Sequence, residues 1–150
     1  MTFEEKIKHD VIKNFGVAYR AFGLSKLMGH IVALLIYSPE PISLEEIAKS
    51  LQRSKGPVSQ ILRRLRDRNL IRRVWQPTSR KDFYEIQPEV FEIAYRNNLE
   101  LVKSNTRLAR QLKSMVSKEK NAKLDALKIR IIEMERFYAI MEKHHENFLI

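Results

Sequence analysis

Phe3, Ile7, Val11, Phe15, Ala18 and Phe22 recur at steps of three and four residues, the spacing that lines one face of a helix. This predicts an amphipathic first helix ending near Gly23, with Gly16 as its weak point. Ser25 can cap a second helix carrying Leu27, Met28, Ile31, Leu34 and Leu35, which stops where Pro39 and Pro41 remove backbone donors. After a short extended piece at Pro41-Ile42-Ser43, Ser43 and Glu46 stand at capping-box spacing before the stripe Leu44, Ile47, Ala48 and Leu51. A fourth helix is signalled by Ser54 as N-cap, by Pro57 in the first turn and by Val58, Ile61, Leu62 and Leu65, and it stops near Asn69. Two runs rich in β-branched and aromatic residues follow, 70–76 and 83–87, joined by the polar 77–82, and together they predict a hairpin with a basic tip.

Beyond Pro88 the period changes. Phe91, Ala94, Asn98, Leu101, Asn105, Leu108, Leu112 and Met115 form a heptad seam, and Leu124, Leu127, Ile131, Met134, Tyr138, Met141, His145 and Phe148 form a second. The nine-residue step from Met115 to Leu124 fits no continuous helical repeat, so a break is expected in 117–121 between two helices of roughly 25 residues. Polar Asn98, Asn105, Tyr138 and His145 interrupt the seams, as register-setting contacts or as their wet edges. The expected architecture is mainly α with a small β-hairpin wing: an N-terminal dimerisation helix (1–24), a winged helix-turn-helix (25–88) and a C-terminal helical dimerisation region (89–150).

Charge sharpens this picture. The formal net charge is +10, and the segment from Arg53 to Lys81 holds ten basic residues against one acid, Asp67. The rest of the chain is almost balanced. Confinement of the excess to a capped helix and the hairpin after it points to a nucleic-acid footprint. On the fourth helix, the face opposite the apolar stripe presents Gly56, Ser59, Gln60, Arg63 and, to one side, Arg64. Arg63 suits guanine and Gln60 adenine in a major groove, while Gly56 allows the helix N-terminus close to a phosphate. Ser54, Lys55 and Ser59 add donors near that end. Arg80 and Lys81 at the hairpin tip are placed for a flanking minor groove or the backbone. Arg72 and Arg73 alternate in direction, so at most one shares the DNA-facing side, and Arg73 is taken as that one.

Other chemistries find little support. With no cysteine, disulfides and thiolate sites are excluded. His9, His30, His144 and His145 lack metal-ligand spacing, no cofactor motif is present, and no phosphate loop or clustered acids suggest an enzyme. The charged N-terminus lacks the apolar run of a signal peptide, and Ile31 to Tyr37 is too short to span a bilayer, so a cytoplasmic location without membrane attachment is expected.

The segment 22–88, above all SKGPVSQILRRLRDRNLIRRVW followed by RKDFYEI, resembles the MarR superfamily and, within it, the GbsR-like branch. That resemblance implies a homodimer held by N- and C-terminal helices, binding double-stranded DNA at a pseudo-palindromic operator as a repressor. GbsR-like proteins also suggest a small-molecule inducer held by aromatic faces. Tyr19, Phe22, Tyr37, Trp75, Phe91 and Tyr95 could converge for this, or be ordinary core and interface aromatics, and no ligand site can be carried over. The rivals in function are a winged-helix adaptor for protein partners and a nonspecific architectural DNA binder.

Overall fold

In the computed structural model, which describes residues 1–149, the chain forms two compact units, Met1–Ile93 and Ala94–Ile150. The first contains α1 (Phe3–Ala21), α2 (Lys26–Tyr37), β1 (Ile42–Ser43), α3 (Leu44–Leu51), α4 (Lys55–Asp67), β2 (Ile71–Val74) and β3 (Phe83–Ile86). Helix α5 (Val90–Ser117), a 3-10 turn (Ala122–Leu124) and α6 (Asp125–Phe148) complete the chain.

The first unit closes around α2. Ile31, Val32, Leu34 and Leu35 meet Ile47 of α3, the Val58–Leu65 stripe of α4, and Ile71 and Tyr84 of the sheet in one buried cluster. Caps fix the helix starts: Met28 N–H donates to Ser25 Oγ at 3.0 Å and Glu46 N–H to Ser43 Oγ at 3.2 Å. Thr2 and Glu5 form a full capping box at the start of α1. Ser54 does occupy the N-cap of α4, but its side chain makes no cap bond. The residue three positions on is Pro57, which has no N–H to donate, so one of the two usual partners of an N-cap oxygen is missing. Ser54 therefore marks the start of α4 without a side-chain cap bond. Asn69 ends α4 in the left-handed region, at φ 60°, and its Oδ1 accepts from Gln87 Nε2 at 2.8 Å. That bond ties the start of the hairpin to its end.

The sheet has the order β1-β3-β2, antiparallel throughout. Ile71 lies opposite Ile86, Arg72 opposite Glu85, Arg73 opposite Tyr84 and Val74 opposite Phe83. Hairpin and short first strand thus form the wing, and α3 with α4 form the helix-turn-helix. The fold is a winged helix-turn-helix.

Helix α1 runs unbroken through Gly16, which is needed for close packing. A Cβ at Gly16 would stand 2.4 Å from His30 Nε2, and one at Gly29 would stand 2.5 Å from the Phe15 carbonyl oxygen. The two glycines let α1 and α2 cross at near backbone contact. This crossing sets which face of α1 is covered: Ile12, Phe15 and Tyr19 pack on the core beside Gly16. The expected stripe is corrected accordingly, because Phe3, Ile7, Ala18 and Phe22 are exposed.

The second unit is an antiparallel helical hairpin, with the break after Ser117 where the spacing predicted it. Lys113 pairs with Glu135 at 3.4 Å and Lys103 with Glu146 at 3.7 Å. Near the far end the His145 ring stacks on Tyr95, with centroids 4.7 Å apart. His145 is buried, with Nε2 3.0 Å from Asn98 Nδ2 and Nδ1 3.0 Å from the Met141 carbonyl. The Met141 carbonyl can only accept, so Nδ1 donates to it, and Nε2 faces the Asn98 side-chain amide. Exposed Asn98 and buried His145 thus make a part-buried polar contact within the chain. The α5 seam also needs correction. The buried residues are Leu99, Val102, Thr106 and Ala109, one position on from Asn98, Leu101, Asn105 and Leu108.

Candidate nucleic-acid interface

Four side chains seat α4 in the core: Val58, Ile61, Leu62 and Leu65 are all buried. Because they occupy one stripe, the sequence between them must face outward, and Gly56, Ser59, Gln60, Arg63 and Arg64 are all exposed. Ser54 and Lys55 at the helix start are exposed as well. Lys55 Nζ comes within 3.9 Å of Glu45 Oε1, a solvated pair that costs little to exchange for another anion. A Cβ at Gly56 would meet nothing within 4 Å, so nothing inside the protein requires glycine there. The helix start offers the N–H groups of Lys55 and Gly56, an uncommitted Ser54 hydroxyl and the positive end of the helix dipole.

The hairpin carries the second set of cations. Arg72 Nε donates to Glu85 Oε1 at 2.5 Å across the strand pair. Arg73 lies on the opposite face and pairs with Asp82 at 3.6 Å. Both arginines are partly neutralised inside the wing, so the net field of its tip comes from Arg80 and Lys81, which are exposed. The turn holding them is shaped by Lys81 N–H donating to Ser79 Oγ at 3.1 Å. Burial raises the Tyr84 hydroxyl above its ordinary pKa, with Asp82 adding to the rise and Arg66 and Arg73 opposing it.

All ten residues singled out from the sequence are exposed: seven at the N-terminal half and outer face of α4, and Arg73, Arg80 and Lys81 on the wing. Within the first unit, Tyr19, Phe22, Tyr37, Trp75 and Phe91 do not gather into a cage. Tyr19 stacks on Phe15, Tyr37 donates to the Glu4 carbonyl at the other end of α1, and Phe22, Trp75 and Phe91 are exposed. Tyr95 belongs to the ring cluster with His145 and Phe148. The sequence reading grouped Trp75 with these rings and missed its setting, although its position between Arg73 and Arg80 was visible. Among the described residues no three His, Asp or Glu side chains gather as a metal site, and no helix is long and apolar enough to cross a membrane.

A helix-turn-helix whose second helix turns a basic face outward beside a basic-tipped wing is the arrangement with which winged-helix proteins in general meet nucleic acid. Residues 30–83, about a third of the chain, match the MarR family model and are similar to that family over this segment. Two relatives from Bacillus subtilis (strain 168) are similar to the chain. The putative HTH-type transcriptional regulator YvaV is 25% identical over 92 residues, 61% of this chain and 52% of that protein. The HTH-type transcriptional repressor OpcR is 23% identical over 88 residues, 59% of this chain and 48% of that protein. The chain spans about half the length of these curated relatives. A solved structure of a transcriptional regulator superposes with a TM-score of 0.80 at 22% identity, covering 95% of both chains, and shares the fold.

Proposed function

We propose that the chain is a sequence-specific regulator of transcription that binds duplex DNA as a homodimer. The observation that carries this reading is the two-sided α4, with a fully buried apolar stripe and an exposed face of Gly56, Ser59, Gln60, Arg63 and Arg64. In a major groove Arg63 and Gln60 would read base edges, while Ser54, Lys55, Ser59 and Arg64 would hold phosphates. Arg80 and Lys81 would engage the flanking minor groove, with Arg73 behind them. No catalytic role is assigned. A cytoplasmic location follows from a DNA partner.

The finer reading is a repressor on a pseudo-palindromic operator. OpcR's description as a repressor supports the sign of the effect. The segment from Ser54 to Trp75 with the Arg80-Lys81-Asp82 wing supports placement in the GbsR-like branch. Exposed apolar residues on α1, α5 and α6 support a second copy as the partner. An inducer remains part of this reading only through the resemblance.

Selection of bound duplexes from a random pool, followed by titration at several salt concentrations, tests it. A two-fold-symmetric winner bound about a thousandfold tighter than a scrambled control is the expected outcome. Arg63→Ala should then cost about 1 to 3 kcal/mol on the winner and relax preference at one base pair. Binding without enrichment would leave an architectural role, and no binding at all an adaptor.

A further inference from the structure

Trp75 is the only tryptophan in the chain, and it is 78% exposed at the end of β2. Single exposed hydrophobic residues are ordinary on protein surfaces, so exposure alone assigns nothing. Its neighbours set this one apart. The indole lines an open concavity of about 770 Å³ that runs along the wing loop, together with Arg73, Pro77, Arg80, Lys81 and Asp82. An apolar ring of this size, rimmed by three cations and one acid that Arg73 already engages, is suited to a partner that is both anionic and partly apolar. A phosphate alone would satisfy the cations and leave the indole in water. A DNA strand presents both parts in alternation, since each phosphate is flanked by deoxyribose C–H groups that form the wall of the minor groove.

We infer that Trp75 is a DNA-contacting residue of the wing, its indole packing on a deoxyribose of the minor-groove wall while Arg80 and Lys81 hold the adjoining phosphates. This rests on the DNA-binding reading above and adds to it an uncharged contact outside the recognition helix. Such a contact has a signature that the cations lack. It strengthens binding without releasing counterions, so it contributes to affinity but not to the salt slope.

The test uses the whole chain and the selected duplex, following the emission of Trp75 and, separately, the anisotropy of labelled DNA. Emission should shift or quench on binding, with the same midpoint as the anisotropy. Trp75→Ala should weaken binding about tenfold, the scale of a lost aromatic contact to nucleic acid. Its dependence on salt should match the wild type, whereas Arg80→Ala should lower the salt slope by about one. Trp75→Phe, which keeps a ring, should recover most of the affinity. Because the side chain lies outside the core, the variants should melt with the wild type, which separates a lost contact from a lost fold.

Tight binding with unchanged emission, or Trp75→Ala binding like the wild type, overturns the inference and leaves the α4 interface standing. Emission that changes with protein concentration in the absence of DNA would place a second copy over the indole and also overturn it. If the wild type binds no duplex by anisotropy at any salt, the DNA-binding reading itself falls, and the inference with it.

Discussion

The winged helix and the helical hairpin solve the same problem with different completeness. In the first unit α2 is surrounded: its inward residues meet α1, α3, α4 and the sheet, and every residue of the α4 stripe is buried. In the second, α5 and α6 pair along one stripe each, and one helix pair covers only one stripe on each helix. Leu101, Leu108, Met115, Ile129, Ile132, Phe137 and Ile140 stay exposed. An exposed apolar surface of that extent marks an interaction face. The winged helix holds its own core, whereas the pairing of α5 with α6 leaves these apolar side chains exposed.

The largest expected effect is therefore inside the first unit. Leu62 is 1% exposed, at the centre of the α4 stripe. Leu62→Ala should cost about 3 kcal/mol of folding stability through lost burial and an unfilled cavity. It should also misplace the outward face of α4, lowering DNA affinity together with stability. Urea unfolding followed by circular dichroism measures the first, and a loss below about 1 kcal/mol would mean that the core of this unit yields more easily than its packing suggests.

Gly29→Ala comes next. The added Cβ would meet the Phe15 carbonyl oxygen at 2.5 Å, and backbone cannot swing aside as a side chain can. Overpacking of this kind costs about 1 to 3 kcal/mol, and alanine returns about 1 kcal/mol of helix propensity, so a net loss of up to about 2 kcal/mol is expected. Gly16→Ala meets the His30 ring instead, which can rotate, and should cost less. Equal melting temperatures for the two variants would break this distinction.

The same contrast explains what the sequence made legible. Short helices with one apolar stripe admit one reading, so α2, α3, α4 and the hairpin were placed from periodicity, caps and turn residues. The outward face of α4 followed, because the face opposite Val58, Ile61, Leu62 and Leu65 has no alternative. Long helices are ambiguous. On α1 and α5 the residue pattern supports two stripes about 100° apart, and size favoured the wrong one for packing within the chain. Thr106 and Ala109 of α5, and Gly16 of α1, are small, and small residues are where backbones approach closely. Thr106 also hides its hydroxyl by donating to the Val102 carbonyl at 3.0 Å. A search for large apolar residues passes over such positions.

A smaller effect separates the units by pH. His30, over the Gly16 crossing, has its pKa held below the ordinary 6.5, first by burial and then by the cations of Lys26 and Arg53. His9, Lys13 and Lys26 line the same cleft and bring no acid to it. As pH falls below about 6.5 the unfolded chain takes up this proton first, so stability declines. The loss levels off once pH is below the folded value, and above about 6.5 it is absent. Melting temperatures at pH 7.5 and pH 5.5 should therefore differ more in the wild type than in His30→Gln. Parallel pH profiles would show that this histidine charges freely in the folded chain.

The smallest effect on folding should come from the stripe that the hairpin leaves uncovered. Leu101 is 59% and Leu108 44% exposed, and glutamine has nearly the helix propensity of leucine. The double substitution Leu101→Gln with Leu108→Gln should thus change the stability of the folded chain by no more than about 0.5 kcal/mol. Association is a different matter if a second copy covers this stripe, since each leucine removed from an interface core weakens it. Sedimentation equilibrium should then show the variant dissociating at concentrations where the wild type remains paired, and its binding to a two-fold-symmetric duplex should weaken while each half-site is still read. A variant that stays paired would move the interface to α1 or to the Ile129, Ile132 and Ile140 face of α6. A variant that unfolds instead would mean that the hairpin needs this stripe to stand alone, and the contrast between a closed unit and an open one would no longer hold.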